Sequence, residues 1–590
     1  MANSSTDFSP VTCLTEEIDW DLSTDLAVAG SGVAGLVTAV HAADLGLAVV
    51  VLEKAPQCGG TSAKAAAGMM VPRNRYMREL GQEDPREDFA RFLARVGRPQ
   101  LYDPAHPRLG LPQWEYDLIQ VYWEYSAVSV ERLEELGALK TLHAADWSSY
   151  NEVPEDKARF GRVLFTLTPD GEFGSGVDCI ARLRESAESF GVQVLTSHRV
   201  EGVFTNADGA VLGVRARSEA GPVAIRASKA VVFATGGFAH NDELRREYLG
   251  GLYTTGCSAV TGEGDLIPIA KTLGAPLLNM HAAWGSPVVF EQALDKDPGL
   301  ISNFAIPGDA IIQVNKYGVR VGNEKATYND RTQSHFIWDA ARAEHCNWLQ
   351  FAIWDQRNAD RFPAQAGLET GNFIPPPEGT TVLSPQRLHG AALATQARED
   401  ALDPRKYVLR GETLEELAAA LDERLEALAA RSGGVRLSEG FVEQLRRTIA
   451  RFNEFAHAGR DEDFHRGESA IELLMHGAVA EDNTLPNPTM FPLSESGFYY
   501  ATILSPGAID TKGGPQVNAR LQMLDGTGRP IPGLYGVGNC VASASGQAYW
   551  SGGGTFGPYM AFGYVASRSI AEEPTKELSS SVALSGSSPT

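Results

Sequence analysis

The chain has 590 residues, 43% of them hydrophobic, and a formal net charge of −23 from 74 acidic and 51 basic side chains. That length allows about three to four domain-sized units, fewer if one α/β unit is large. So acidic a chain is a poor partner for nucleic acid or an anionic membrane, and no apolar run reaches bilayer-spanning length.

Six cysteines (Cys13, Cys58, Cys179, Cys257, Cys346 and Cys540) are scattered without a C-x-x-C pair. That usage fits a reducing cytoplasm and offers no metal site. Neither H-E-x-x-H nor G-x-S-x-G occurs, and the acidic, polar N-terminal stretch is unlike a signal peptide. A soluble, cytoplasmic protein is expected.

In chain order, residues 1–23 are expected to be a loose lead-in. Asp25-Leu-Ala-Val-Ala-Gly30-Ser-Gly32-Val33-Ala34-Gly35 then runs an apolar strand into G-x-G-x-x-G and a helix. Gly46 stops that helix, and Leu47–Leu52 forms a second apolar strand ending on Glu53. Gly30 permits the tight turn, Gly32 admits a pyrophosphate to the backbone, and Gly35 lets helix and sheet close up. The helix N-terminus, through Val33 and Ala34, favours phosphate, and Glu53 stands where a carboxylate accepts from ribose hydroxyls. The glycine pattern alone is weak evidence in a chain with 60 glycines. Flanked by both strands and the acid, it indicates a dinucleotide site rather than a plain structural turn.

Further on, Val192–Thr196 and Arg199–Phe204 are predicted strands, Asp208-Gly209 a hairpin turn, and Val211–Val214 its return. Ala230–Ala234 is a buried strand feeding Thr235-Gly236-Gly237. From 289 to 497 the character changes. Trp338, Trp348 and Trp354 gather there, and a Pro/Gly-rich insertion surrounds Pro375-Pro376-Pro377. Thr413-Leu-Glu-Glu416 predicts a capping box for a helix whose stripe is Leu414, Leu417, Ala418, Leu421, Leu425 and Leu428. Phe441, Leu445, Ile449 and Phe452 mark a second amphipathic helix, and both stripes are read as core. After 498 strand and glycine character return, with Gly533 to Gly538-Asn539, then Gly552 to Gly557 and an apolar helix. Residues 573–590 are expected to be a flexible tail. The expected architecture is α/β: a nucleotide-binding domain in two pieces, 24–288 and 498–572, with a second domain inserted at 289–497 and ligands between them.

The stretch Glu53-Lys54 to Gly60-Thr61-Ser62 resembles the loop that wraps FAD in flavoproteins with two dinucleotide-binding domains, with NAD as the alternative. Thr235-Gly-Gly-Phe238, Thr261-Gly-Glu-Gly-Asp265, Asn315 to Asn323-Glu324, and Gly533 to Ala566 follow in order. Together they resemble the fumarate reductase/succinate dehydrogenase flavoprotein superfamily, and within it the FAD-dependent 3-ketosteroid dehydrogenases. The resemblance implies a discontinuous Rossmann-like FAD domain with an inserted α+β capping domain. It adds Gly68, Met69, Val203, Thr235, Gly236, Gly237 and Asp265 to the expected flavin-binding positions. From the C-terminal block it adds Gly538, Asn539, Gly554, Thr555 and Phe556, where a helix N-terminus would face the flavin pyrimidine. Thr61–Ala67 holds no histidine, so FAD is expected to be non-covalent.

The same resemblance implies the catalytic groups. Tyr549 and the Gly553 N–H would hydrogen-bond a ketone, acidifying the neighbouring C–H. Tyr328 would be the base, activated by Tyr150 or by Arg331, because a phenol ordinarily titrates near ~10. Ser551 would join a proton relay. Tyr549-Trp-Ser551-Gly looks like the 4(5)-desaturating branch, whereas the residues after it resemble the 1(2) branch, and both stay open. No arginine interrupts Ser543–Gly554, which favours a neutral, apolar ketone, a steroid above all, over a dicarboxylate. The electron acceptor is left open. Against these readings, a buried tyrosine is commonly a packing residue, and 17 are present. His281, His335 and His457 lack metal-ligand spacing. Two alternatives remain: a fumarate reductase-like enzyme with Arg331 facing the flavin, and a non-catalytic flavin-binding protein.

Overall fold

The computed structural model describes residues 9–576 except 16–17, 169, 295–305, 307, 363–406 and 478. The Pro375–Pro377 insertion and the 577–590 tail therefore lie outside the described residues.

Runs that are apolar at every position, not at alternate ones, build strands buried on both faces of a parallel sheet. Leu26–Ala29, Val49–Leu52 and Ala230–Phe233 are such runs, each at 5% exposure or less. Leu22–Ala29 lies between Gly221–Phe233 and Val49–Leu52, all parallel, and Gln193–Leu195 extends the far edge. Pro530–Gly536, from late in the chain, pairs parallel with Phe233 on the other side. Nine strands make up this sheet. The helix Val33–Asp44 is apolar nearly all round and buried over its first ten residues. It crosses the C-terminal helix Phe556–Ala571 closely: a Cβ on Gly563 would stand 3.1 Å from the Thr38 backbone nitrogen.

A second, antiparallel sheet runs Ala283–Val289, Tyr499–Thr511, Gln350–Asp355, Ile311–Val314, with Leu409–Gly411 also on the long strand. The helices Leu414–Ala427 and Phe441–Ala458 bury Leu417, Leu421, Leu445 and Phe452 against it. The two sheets are joined by connections that run side by side, Leu277–Leu278 pairing with Gly514–Pro515.

The structure differs from expectation in four places. The second sheet takes in strands before 289 and after 497, since hydropathy does not say which sheet a buried strand joins. The lead-in is not loose throughout: Val11–Cys13 adds parallel to Val203–Thr205, and Trp20 packs edge-on against Phe204. Three residues recruited by a sheet edge leave no periodic signature. Order also persists past 572, where Glu573 accepts from Tyr535 Oη at 2.6 Å and Lys576 Nζ donates to the Val211 carbonyl at 2.8 Å. Finally, Thr413 Oγ1 accepts from the Glu416 N–H, but the Glu416 carboxylate returns to the Glu412 N–H, one residue before the cap. Of the three tryptophans, Trp354 is buried and Trp338 is 54% exposed. Among the described residues no helix is long and apolar enough to cross a membrane.

Candidate active site

The carboxyl ends of four parallel strands open into one cleft, the usual ligand position in such sheets. Leu22–Ala29 supplies Gly30, Val49–Leu52 supplies Glu53 and Lys54, Gly221–Phe233 supplies Thr235 and Gly236, and Pro530–Gly536 supplies Gly538 and Asn539. Gly32, Val33 and Ala34 line it from the first turn of the helix, and Gly60, Thr61, Ser62 and Asp265 close the rim.

Gly30 has φ +105°, and a Cβ there would meet the Ala234 carbonyl oxygen at 2.4 Å. Gly35 lies behind the cleft, where a Cβ would stand 2.1 Å from the Gly30 carbonyl oxygen. The helix N-cap is Gly32, and Ser62 Oγ accepts from the Val33 N–H at 3.1 Å; the rest of the first turn presents its partial positive charge to the cleft. Glu53 fastens the turn as well: Oε2 accepts from the Ser31 N–H at 3.1 Å and Ser31 Oγ at 2.6 Å, and Oε1 from the Ala55 N–H at 2.8 Å. A carboxylate has about four lone-pair sites, so capacity for a ribose hydroxyl remains. Lys54 Nζ lies 2.6 Å from Asp265 and 3.1 Å from Glu263.

Other expected positions fall elsewhere. Val203 is fully buried in the sheet, and Val200 and His198 face the cleft in its place. A bulge between Val200 and Gly202 shifts which residues point outward. Gly68 and Met69, on the strand Gly68–Met70, lie under Gly553 instead: the Met70 N–H donates to the Gly553 carbonyl at 3.1 Å. Gly554 and Thr555 precede the C-terminal helix and Phe556 opens it, none of them lining the cleft, which that helix reaches at Tyr559. Gly237 donates its N–H to Asp510 at 3.0 Å. Ser31, His198, Asp510 and Tyr559 carried no motif that marked them.

Beside this cleft three phenols meet. Tyr328 opens the short helix Tyr328–Gln333, held by the preceding Glu324, a buried carboxylate paired with Arg320 at 2.7 Å and Arg466 at 3.1 Å. Tyr150 donates its N–H to the Trp550 carbonyl at 3.0 Å, which sets it next to Tyr549. Tyr150 Oη and Tyr328 Oη are 3.1 Å apart. Ring centroids are 5.7 Å apart for Tyr150 and Tyr549 and 5.1 Å for Tyr328 and Tyr549. Trp284 packs on Tyr549 at 5.1 Å, and Cys257, Ile471 and Ile509 complete an apolar wall. Gly553 adopts φ +76°, and a Cβ there would be 2.3 Å from the Gly68 carbonyl carbon. Among the described residues no acceptor takes its N–H.

Two expected roles are corrected. Ser551 Oγ donates to the Ser148 carbonyl at 3.1 Å, so it ties the C-terminal block to the segment bearing Tyr150 and does not reach the phenols as a relay. Arg331 Nε donates to the Ala326 carbonyl, and burial pushes its guanidinium down to about 10. No cation figures among the main influences on any of the three phenols, all raised by burial.

A dinucleotide cleft on a discontinuous Rossmann-like sheet, capped by a second domain, defines a flavoprotein oxidoreductase. Residues 25–556 match the family described as FAD binding domain, and the chain belongs to that family, within the fumarate reductase and 3-ketosteroid dehydrogenase flavoproteins. It is an FAD-dependent oxidoreductase acting on CH–CH groups. The 4-oxocyclohexanecarboxylate 2-dehydrogenase of Sinomonas cyclohexanicum is 30% identical over 93% of this chain and 92% of that one. The 3-oxosteroid 1-dehydrogenase of Mycobacterium tuberculosis H37Rv is 30% identical over 94% of this chain and 99% of that one. The crystal structure of 3-ketosteroid delta1-dehydrogenase from Sterolibacterium denitrificans, in complex with 1,4-androstadiene-3,17-dione, has the same fold. Its TM-score is 0.73 at 22% identity, covering 93% of this chain and 99% of that one.

Proposed function

We propose that the protein removes two hydrogens from the carbons α and β to a ring ketone, a 3-oxosteroid in the first instance. The observation that carries this reading is the phenol pair Tyr150–Tyr328 facing Tyr549 against an apolar wall. Tyr549 Oη and the Gly553 N–H hold the carbonyl oxygen and stabilise the charge that develops there. Tyr328 takes the proton from the α-carbon, with Tyr150 as its hydroxyl partner. FAD, which the Gly30–Gly35 turn, Glu53, Thr61 and Ser62 would hold non-covalently in the cleft, would supply the acceptor for the hydride of the β-carbon. Trp284, Ile471 and Ile509 exclude water from the reacting carbons.

The names of both relatives support a ring ketone, one of them a monocyclic keto acid and the other a steroid with the new bond at position 1. That last name favours the 1(2) bond for this chain. A cytoplasmic location accords with six free thiols. The test is product analysis: incubation with a saturated 3-oxosteroid, 4-oxocyclohexanecarboxylate or succinate, plus an artificial acceptor. The steroid should return as a 1-ene lighter by two hydrogens. Turnover of succinate alone would refute the reading.

A further inference from the structure

Asp510 is a buried carboxylate, 1% exposed, that lines the dinucleotide cleft from the capping-domain strand Tyr499–Thr511. Its Oδ2 accepts from the Gly237 N–H at 3.0 Å and from Asn539 Nδ2 at 3.0 Å, and Oδ1 accepts from the Thr511 N–H at 2.8 Å. Among the described residues no cation pairs with it. The groups packed against it are the Gly236–Gly237 turn, Asn539 and the phenol of Tyr559, whose hydroxyl donates to Asn539 Oδ1. Lys512, two residues on, turns its ammonium to the Gly546 and Ala548 carbonyls. Glu53, Lys54, Asp265 and His198 line the same cleft at the opposite end.

Three of the four lone-pair sites of a carboxylate are thus used, and one is left for a donor in the cleft. The strand order says which part of a dinucleotide lies there. Glu53, the ribose acid, ends Val49–Leu52; Gly30, at the pyrophosphate turn, ends the next strand. Asp510 bonds the turns that follow the next two, Gly221–Phe233 and Pro530–Gly536. It therefore sits beyond the pyrophosphate, on the flavin half, where the available donors are the hydroxyls of the chain between phosphate and ring.

We propose that Asp510 is a cofactor-binding residue that accepts a hydrogen bond from a ribityl hydroxyl of FAD and makes FAD retention depend on its ionisation. Burial pushes this carboxyl up to about 6, against three hydrogen bonds that favour its charged form, so it changes charge within an accessible pH range. The inference concerns the cofactor alone and stands whether or not the substrate is a ketone.

The experiment is titration of the deflavinated full chain with FAD and, separately, with ADP, by flavin fluorescence and calorimetry, between about pH 5 and pH 8. A hydrogen bond to a charged acceptor predicts FAD affinity roughly ten- to a hundredfold weaker in Asp510→Asn, with ADP affinity unchanged. Wild-type FAD affinity should weaken as pH falls through about 6, and this dependence should vanish in the variant, which separates Asp510 from His198. Asp510→Ser, which offers no amide hydrogen to the Gly237 N–H, should behave alike. Unchanged FAD affinity, equal weakening of FAD and ADP, or a pH dependence that survives in both variants would overturn the assignment.

Discussion

Tyr150 Oη lies 3.1 Å from Tyr328 Oη, across 178 residues of sequence, with the two rings edge to face at 5.6 Å. The two hydroxyls can pass a proton between them, and Tyr549 also hydrogen-bonds Tyr328. That relationship sets the first prediction. Tyr328→Phe should lower kcat by about 10²–10⁴-fold, the range for a lost general base, with FAD content unchanged. Tyr150→Phe should cost less, and the double variant little more than Tyr328→Phe alone, because contacting residues in one network are not additive. Steady-state kinetics of the three variants checks this.

Burial lifts all three phenols above their ordinary range. A base with a raised pKa is mostly protonated near neutrality, so its reactive form grows as pH rises. Turnover should therefore still be climbing at about pH 9, just below the unperturbed phenol value of ~10. A pH–kcat profile with a neutral plateau would contradict the Tyr328 assignment.

Tyr549→Phe removes the side-chain donor to the developing oxyanion and should lower kcat by about 10²–10³-fold. Ser551→Ala should lower it less than about tenfold, since it loses only a bond to the Ser148 carbonyl, worth roughly 0.5–1.5 kcal/mol. Comparing the two rates in one assay discriminates a donor from a positioning residue.

Gly35→Ala would press a Cβ to 2.1 Å from the Gly30 carbonyl oxygen. The glycine turn must open, and the variant should purify without yellow colour. Its absorbance spectrum reads this directly.

Burial also pushes the His41 imidazole down to about 3, while its Nε2 meets Ser129 Oγ at 2.9 Å. The folded form therefore binds fewer protons than the unfolded chain, where histidine titrates near ~6.5. Stability is complete above that value and is lost as pH falls from there toward 3. His41→Gln should flatten that acid-side loss in thermal melts recorded from neutral to acidic pH.

The dinucleotide unit was legible because its constraints are local: strand, glycine turn, helix and acid follow within thirty-odd residues, about what a βαβ unit needs. So were the apolar helix stripes around Leu417 and Leu445. The need of Tyr328 for a second hydroxyl was readable from phenol chemistry, though not the Trp550 carbonyl that brings Tyr150 to it. What escaped depends on distant partners. A bulge at Val200 turned Val203 inward, the Ser148 backbone captured Ser551, and a sheet edge recruited Val11–Cys13. Asp510 joins Gly237 and Asn539, 273 and 29 residues away, and no local spacing encodes that meeting.

The most direct test of a ketone dehydrogenase is an anaerobic titration of the FAD-loaded protein with a saturated 3-oxosteroid. Stoichiometric loss of the oxidised flavin absorbance is predicted, abolished in Tyr328→Phe. Flavin that stays oxidised with every ring ketone tried, or that only succinate bleaches, would contradict the account.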